Sequence, residues 1–442
     1  MIKKIFGSDG VNIQSMTVEA TMSLGKALAC KIKTSKDECK IIIGKDTRVP
    51  EMFKAAFISG ICSIGVDAIC LTDQMPSAAI AYLTKNINAD AGVMISASYD
   101  NSIKIFGKDG FRLSDKEEIE LEKYVEHDLV SNNHWKSKML AGRIYKMDDA
   151  RGRYIIHLKS SFSKYLDLRG LRIAVDCANG TSHIIAPKVF EELGAKVFPI
   201  NINPDEKNIN DSGTISSCQL AVAVRLNKCD IGIALNGNAD KLLILNKHGE
   251  IVNGDVLLAI LMGVRSDKLP VFTTTSNLAL IDYAHYDVCG KKPIVIDTDA
   301  GGKYIAERMR NGNYSFGGEN SGHIVFSKYS TTGDGIIAAL KVLEIMKKQD
   351  MSVDELQNSV MVPYFQTTID IKVSSKLSIK DIDGLSEKIR QIEDKIKGSG
   401  RVLIRQTKNL MVRVIVESKN NQNNGDCAME IAEIIRKSEG KE

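Results

Sequence analysis

Short apolar runs that end in polar loops recur along most of the chain. Residues 41–43, 171–175 and 231–235 are such runs, and each is followed by a loop rich in Gly, Asp or Asn. A helix-like segment covers residues 184–194, where Gly194 suits a helix end. Alternating strands and helices of this kind predict mixed or parallel sheets covered by helices. Ligands of such sheets bind beyond the carboxyl ends of the strands, so each strand-end loop is a candidate site.

The C-terminal part of the chain follows a different pattern. It predicts a half-exposed strand, a polar helix, two further strands and a closing amphipathic helix, over residues 365–373, 379–396, 401–405, 410–417 and 426–437. This order is typical of a small α+β domain. Polar stretches near residues 150, 250 and 362 are the expected boundaries, and they divide the chain into residues 1–150, 151–250, 251–362 and 363–442.

Composition indicates an ordinary globular protein and argues against several partners. The hydrophobic content of 43% and the charged content of 26% are typical of soluble domains. The net charge of +4 is spread without an arginine-rich or lysine-rich block, so we expect no nucleic-acid partner. No apolar stretch approaches the ~18 residues of a membrane helix, so we expect no membrane insertion. The nine cysteines include no C-x-x-C pair, which favours reduced thiols and a cytoplasmic protein.

Nine short motifs occur in a specific order along the chain. They are Phe6-Gly-Ser-Asp-Gly10, Gly44-Lys-Asp-Thr-Arg48, Gly92-Val-Met-Ile-Ser-Ala-Ser98, Asp176-Cys-Ala-Asn-Gly180, Asn203-Pro-Asp205, Asn208-Ile-Asn210, Ser276-Asn-Leu278, Gly317-Gly-Glu-Asn-Ser-Gly-His323 and Thr331-Thr-Gly-Asp-Gly335. In content, order and spacing they resemble the motifs of the phosphoglucosamine mutase family, a branch of the α-D-phosphohexomutases. One such motif would be a weak signal, whereas nine in order over nearly the whole chain form a specific resemblance.

The resemblance implies a fold and an activity. The fold is three α/β domains with mixed sheets and a small C-terminal α+β domain around a central cleft. The activity is the interconversion of glucosamine 6-phosphate and glucosamine 1-phosphate, which supplies amino-sugar nucleotides and peptidoglycan precursors. In this family a phosphoserine donates its phosphoryl group to a small phosphosugar, Mg²⁺ neutralises the developing charge, and a sugar 1,6-bisphosphate turns round in the cleft.

The resemblance implies that Ser98 is the phosphoserine, with Lys104 and Arg48 as cations of the catalytic centre. In the family the serine is followed by His-Asn-Pro, but here Ser98 is followed directly by Tyr99-Asp-Asn-Ser-Ile-Lys104. Phosphoryl displacement tolerates little misplacement of the reacting atoms. The shorter loop therefore leaves two readings open, a retained phosphoserine and an ordinary loop serine.

The loop implied to bind Mg²⁺ has lost negative charge. Where the family has Asp-Gly-Asp-x-Asp-Arg, this chain has Asn236-Gly-Asn-Ala-Asp-Lys241, so that Asp240 is accompanied by Asn236 and Asn238. Fewer ligand charges weaken the binding of a hard dication. Lys241 keeps a positive charge for a phosphate but loses the planar fork of arginine. We expect Mg²⁺ binding to be weakened or lost, and a simple polar turn is the alternative interpretation.

The motif Gly317-Gly-Glu-Asn-Ser-Gly-His323, here called the sugar loop, matches the family in full. By resemblance, Glu319 and Ser321 should hydrogen-bond the sugar hydroxyls, with His323 close by. A carboxylate and a hydroxyl suit vicinal diols, and the flanking glycines let the backbone approach a ligand. A glycine-rich turn alone would need the glycines but not these three side chains together.

The C-terminal phosphate loop departs from the family pattern Arg-x-Ser-Gly-Thr-Glu-Pro. Here the segment reads Arg405-Gln-Thr-Lys-Asn409, so Arg405 and Thr407 remain as candidate phosphate ligands. The glycine that permits a nest of backbone amides and the second hydroxyl are missing. Because several loops depart together, three hypotheses stay open: a mutase with weak or conditional turnover, an inactive relative that binds a phosphosugar or a regulatory protein, and a mutase for another hexose phosphate. The sequence selects no protein partner and leaves a homodimer open.

Overall fold

The computed structural model of the chain describes residues 6–7, 10–12, 17–33, 38–96, 102–126, 141–205, 207–214, 216–264, 269–287, 292–296, 302–375, 382–396, 399–407, 410–420 and 423–439. Two compact units are formed. The larger contains Met1–Thr274 and Ile294–Ser359, and the smaller contains Thr275–Pro293 and Val360–Glu442. No helix in the described ranges is both long enough and apolar enough to cross a membrane.

Strands and helices alternate through the larger unit. The strands are β1 (Phe6–Gly7), β2 (Gly10–Asn12), β3 (Lys40–Lys45), β4 (Asp67–Leu71), β5 (Ala91–Ile95), β6 (Ser102–Gly107), β7 (Ile144–Met147), β8 (Arg172–Asp176), β9 (Lys196–Ile200), β10 (Ile231–Leu235), β11 (Leu242–Leu245), β12 (Val271–Thr273), β13 (Ile294–Ile296), β14 (Phe316–Gly318), β15 (Ile324–Phe326), β16 (Phe365–Lys372), β17 (Gly400–Thr407) and β18 (Met411–Ser418). The last three strands belong to the smaller unit.

The helices cover the sheets. Those in the described ranges are α1 (Val18–Lys33), α2 (Glu51–Ser63), α3 (Ser77–Asn86), α4 (Asp115–Glu126), α5 (Ala150–Ser161), α6 (Ile185–Glu192), α7 (Cys218–Leu226), α8 (Gly254–Leu261), α9 (Leu278–Asp287), α10 (Gly302–Gly312), α11 (Gly335–Gln349), α12 (Val353–Ser359), α13 (Leu385–Lys395) and α14 (Asn424–Glu439), together with a 3-10 turn at Met262–Val264. The helix predicted over residues 184–194 is confirmed as α6.

Three mixed sheets form the larger unit. Their strand orders are β1-β2-β6-β5-β3-β4-β7, β11-β10-β8-β9 and β13-β12-β14-β15. Parallel pairs lie at the centre of each sheet, for example β3 with β4 and β5, and antiparallel strands such as β6 and β11 complete them. Residues 41–43 of β3 are fully buried. A strand covered on both faces reads as a continuous apolar run, which explains the pattern seen in the sequence.

The smaller unit has one antiparallel sheet in the order β16-β18-β17. Alternate residues of β18, Val412, Val414 and Val416, pack against α13 and α14 in its core. The predicted strands and the closing helix are confirmed; the predicted helix over 379–396 begins in residues outside the described ranges and is observed as α13. Arg413 faces outward and pairs with Asp370 on β16 through contacts of 2.7 and 2.8 Å.

Candidate active site

Two strand ends of the first sheet meet at Asp46 and Ser96. Asp46 follows β3 and Ser96 follows β5, and the Asp46 N–H donates to the Ile95 carbonyl at 3.1 Å. Ser96 Oγ lies 2.8 Å from Asp46 Oδ2, and both side chains are fully buried. Asp46 Oδ1 also accepts from the Arg48 N–H at 3.1 Å, which fixes the start of the loop that carries Arg48. The Arg48 side chain is exposed.

The loop after β10 folds around its own side chains. Asn236 Oδ1 accepts from the Lys241 N–H at 3.0 Å, and Asn236 Nδ2 donates to Asp240 Oδ1 at 2.7 Å. Asn238 is buried, and its Oδ1 lies 3.1 Å from Ser96 Oγ. The strand-end loop of the second sheet therefore contacts that of the first, as the carboxyl ends of strands are expected to do.

Lys104 joins the same two sheets by a buried ion pair. It lies on β6 opposite Met94 of β5, and its Nζ is 3.1 Å from Asp240 Oδ2. Only 4% of Lys104 and 8% of Asp240 are exposed. Burial acts to raise the pKa of Asp240, but the positive charge of Lys104 leads several contacts that outweigh it and hold this pKa below its usual range. Asp240 is therefore a carboxylate at neutral pH.

The sugar loop between β14 and β15 is fixed beside the Lys104–Asp240 ion pair and the loop after β10, which together are called the centre below. The Leu242 N–H donates to the Gly322 carbonyl at 3.0 Å. Gly322 has φ +90°, and a Cβ there would lie 2.1 Å from the Leu242 carbonyl oxygen, so the close approach requires glycine. Glu319 and Ser321 lie at the turn, where Ser321 Oγ donates to Glu319 Oε1 at 2.7 Å. Ser321 is exposed and Glu319 is half-buried, so both can be reached by a ligand.

His323 is buried behind the sugar loop. Only 7% of it is exposed, and its Nε2 has no hydrogen-bond partner among the described residues. The ring fills the space beside Gly302 and Gly333, where a Cβ would clash with it. Burial lowers the pKa of His323, and the nearby carboxylate of Asp240 opposes this shift only in part. The imidazole is therefore neutral at pH 7.

Asp334 begins helix α11 next to the centre. Its Oδ1 accepts from the Ile336 and Ile337 N–H groups at 3.1 and 3.0 Å, which caps the helix. Tyr154 Oη donates to Asp334 Oδ2 at 2.6 Å. Burial raises the pKa of Asp334 to about 6, because these hydrogen bonds only partly offset it. The sequence did not single out this Tyr–Asp pair, although Asp334 stands in one of the nine motifs.

The donor set does not fit a Mg²⁺ ion. Mg²⁺ needs about six oxygens in near-octahedral geometry. The loop offers one carboxylate, and both oxygens of Asp240 already accept, from Asn236 Nδ2 and from Lys104 Nζ. Within the described ranges no cluster of three or more His, Cys, Asp or Glu residues could hold a metal ion.

The predicted site residues fall into four groups, one of which is Arg48 alone, exposed on the loop after β3. Lys104, Lys241, His323 and the loop residues Asn236, Asn238 and Asp240 lie together, with the sugar-loop residues Glu319 and Ser321 beside them. Arg405 lies in β17 of the smaller unit and is half-buried. Ser98 and the side chain of Thr407 lie outside the described residues. The sequence did not single out Asp46 and Ser96, although they stand inside two of the nine motifs. Residue type alone does not show which residues of a motif come together at the strand ends.

Three family descriptions match the chain. They are the α/β/α domains I, II and III of phosphoglucomutase/phosphomannomutase, which match residues 3–130, 152–249 and 253–364. The fold agrees with a solved phosphoglucomutase/phosphomannomutase family protein from Burkholderia thailandensis, with a TM-score of 0.79 at 16% identity over 99% of this chain and 98% of that one. The class of protein is thus an α-D-phosphohexomutase, and the predicted fold class of three α/β domains and a small C-terminal domain is confirmed.

Relatives that match over nearly their full length identify the family within this class. The phosphoglucosamine mutase of Citrifermentans bemidjiense is 39% identical over 458 aligned residues, covering 100% of this chain and 99% of the relative. That of Syntrophotalea carbinolica is 40% identical over 460 aligned residues, with 100% and 99% covered. The chain belongs to the phosphoglucosamine mutase family. A more distant structure, N-acetylphosphoglucosamine mutase of Aspergillus fumigatus in complex with GlcNAc-6P and magnesium, has a TM-score of 0.61 at 18% identity, over 82% of this chain and 92% of that one.

Proposed function

We propose that this protein interconverts glucosamine 6-phosphate and glucosamine 1-phosphate by phosphoryl transfer. The observation that carries the proposal is that the sugar loop lies beside the loop after β10, where Lys104 and Lys241 are. The two loops are linked by the 3.0 Å hydrogen bond from the Leu242 N–H to the Gly322 carbonyl. A cationic group can meet a phosphate there while Glu319 and Ser321 meet sugar hydroxyls. The full-length phosphoglucosamine mutase relatives support the choice of reaction.

In the proposed reaction Ser98 carries the phosphoryl group. The bond between the Ser98 oxygen and phosphorus breaks as the sugar C1 hydroxyl attacks the phosphorus, and the proton of that hydroxyl ends on the Ser98 oxygen, which gives the 1,6-bisphosphate and a free serine. After the sugar turns round, the Ser98 hydroxyl attacks the C6 phosphoryl group and its proton ends on the C6 oxygen, which gives glucosamine 1-phosphate and restores the phosphoserine. Lys104, Lys241 and Arg48 supply positive charge for the transferring group. Arg405 and Thr407 are the proposed contacts of the other phosphate. No step is assigned to Mg²⁺, because the donor set does not fit it.

The reaction would supply glucosamine 1-phosphate for amino-sugar nucleotides and peptidoglycan precursors. We place it in the cytoplasm, in agreement with the free thiols of all eight cysteines that the structure describes.

A second candidate function is phosphosugar binding without turnover. One observation favours it: each oxygen of Asp240 already accepts from a donor of the chain, and the other two candidate ligands on the loop, Asn236 and Asn238, are carboxamides. Such a centre can bind a phosphate by charge but offers less to a transition state that depends on a metal. The two candidates share the ligand and differ in chemistry.

A coupled assay for glucosamine 1-phosphate separates them. Purified protein is given glucosamine 6-phosphate with a trace of sugar 1,6-bisphosphate, with and without Mg²⁺, and the glucose and mannose phosphates are run in parallel. Ser98→Ala is the test variant. Ser59→Ala is the matched control, because Ser59 is an exposed serine on α2 whose hydroxyl donates to the Ala55 carbonyl of its own helix.

Turnover that Ser98→Ala abolishes and Ser59→Ala keeps supports the mutase. Faster turnover of another hexose phosphate would change the substrate. Absence of turnover for every sugar, with glucosamine 6-phosphate still bound, would reject the mutase in favour of the binding protein. Intact mass before the assay reports whether the parent carries one phosphoryl group that Ser98→Ala lacks.

A further inference from the structure

Hydrogen-bond donors surround the one carboxylate of the loop after β10. Asp240 Oδ1 accepts from Asn236 Nδ2 at 2.7 Å, and Asp240 Oδ2 lies 3.1 Å from Lys104 Nζ. An aspartate at position 236 could not donate this bond, because a carboxylate is an acceptor only. The Asn236 carboxamide therefore donates to one oxygen of Asp240, and the Lys104 ammonium donates to the other.

The charge at the three candidate ligand positions of the loop, residues 236, 238 and 240, points in the same direction. A loop with three carboxylates carries three negative charges, and a bound Mg²⁺ would reduce them to one. Here positions 236, 238 and 240 carry one negative charge, on Asp240, with carboxamides at Asn236 and Asn238. The two carboxamides thus leave the same net charge without a metal as three carboxylates have with one. A dication brought to this loop would also meet the positive charge of Lys104 in a site of low polarity, where repulsion is strong.

We propose that the Lys104 ammonium is the built-in counter-ion of the Asp240 carboxylate, that the loop after β10 takes up no divalent cation in this chain, and that the protein binds its sugar phosphate without Mg²⁺. Only the identity of the ligand rests on the proposed function. The ammonium is held by β6, whose pairing with β5 sets the position of Lys104 opposite Met94. Because only 4% of Lys104 is exposed, its charge is little screened by water.

The proposal is tested first by titrating Mg²⁺ into the metal-stripped parent protein in a calorimeter, and the same titration is made on Ser98→Ala. We expect no measurable uptake of Mg²⁺ at millimolar concentration in either protein. The thermal shift caused by glucosamine 6-phosphate should be the same in EDTA and in Mg²⁺. Saturable Mg²⁺ uptake by the parent, phosphorylated or not, would overturn the proposal, and so would a thermal shift that requires Mg²⁺.

A set of variants tests the role of Lys104 itself. Asn236→Asp with Asn238→Asp restores three carboxylates and should create measurable Mg²⁺ affinity. Adding Lys104→Met to this pair should increase that affinity by at least about tenfold, since a like charge is removed from the site. Adding Lys108→Met instead should change it little, because Lys108 is an exposed lysine on the turn after β6.

Equal affinities in the two triple variants would show that Lys104 does not compete with a cation. If Lys104→Met fails to fold, which circular dichroism reports, the parent titration still decides the proposal. None of these titrations needs turnover. A protein with no mutase activity and no Mg²⁺ uptake would therefore reject the proposed function and support this inference.

Discussion

Lys104 Nζ and Asp240 Oδ2 are 3.1 Å apart in the interior, although the two residues are 136 positions apart in the chain. The pair joins the first and second sheets of the larger unit. Removing one partner of a buried ion pair leaves an uncompensated charge and costs far more than removing both. The pair is therefore a structural contact as well as part of the candidate active site.

Lys104→Met should destabilise the larger unit by about 3–5 kcal/mol, because it leaves the Asp240 carboxylate buried without its ion pair. Lys104→Met combined with Asp240→Asn should recover a large part of this loss. Urea unfolding of the four proteins of the double-mutant cycle measures both effects. Lys108→Met is the control and should stay within about 0.5 kcal/mol of the parent. A single variant as stable as the parent would show that the ion pair contributes nothing.

Asp334→Asn should remove a pH dependence of stability. The pKa of Asp334 is raised from 3.8 to about 6 in the folded protein, so between these pH values the native state binds more protons than the unfolded chain. The free energy of unfolding contributed by this group therefore falls as pH rises, by about 3 kcal/mol up to pH 6, and is constant above it. Asparagine also caps helices and carries no charge.

The measurement is the stability difference between Asp334→Asn and the parent from pH 4 to pH 7. It should favour the variant increasingly up to pH 6 and then level off. Taking the difference cancels the opposite contribution of Asp240, whose lowered pKa adds stability as pH rises through its unfolded value near 3.8. A difference that does not change with pH would show that burial does not raise the pKa of Asp334 in the folded protein.

Glu319→Ala should weaken the binding of glucosamine 6-phosphate by about tenfold or more, because a hydrogen bond to a charged group contributes about 1.5–3 kcal/mol. Thermal shift and calorimetry with the sugar phosphate measure the effect. Glu191→Ala is the matched control, since Glu191 is an exposed glutamate at the end of α6. Equal protection of the Glu319→Ala variant and the parent would exclude the sugar loop as the contact.

Gly322→Ala should displace the sugar loop. The new Cβ would lie 2.1 Å from the Leu242 carbonyl oxygen, and φ at this position is +90°. We expect a loss of sugar-phosphate binding together with a destabilisation of about 1–3 kcal/mol. The control is Gly152→Ala, where a Cβ meets nothing within 4 Å on the exposed side of α5 and should be neutral or stabilising. Normal binding by Gly322→Ala would show that the loop tolerates the change.

Much of the fold could be predicted because local patterns carry it. The apolar run at residues 41–43 indicated a strand covered on both faces, and β3 is buried in that way. The alternating segment at 365–373 predicted β16. The glycines of the sugar loop were expected to let the backbone approach a ligand, and the close approach that Gly322 makes is to Leu242 of the chain itself. These features depend on neighbouring residues, so a single sequence contains them.

The electrostatic contacts of the site could not be predicted in the same way. The loss of two carboxylates at Asn236 and Asn238 was visible in the sequence, and it left Asp240 as the one charged candidate ligand of the loop. That Lys104 lies against Asp240, that Ser96 lies against Asp46, and that Tyr154 donates to Asp334 depends on how separate strands and helices come together. The residues of these pairs are 136, 50 and 180 positions apart, and only the tertiary structure fixes such distances. The sequence determined which charges the chain carries, and the fold decided which of them meet in a buried site, where low polarity makes each contact strong.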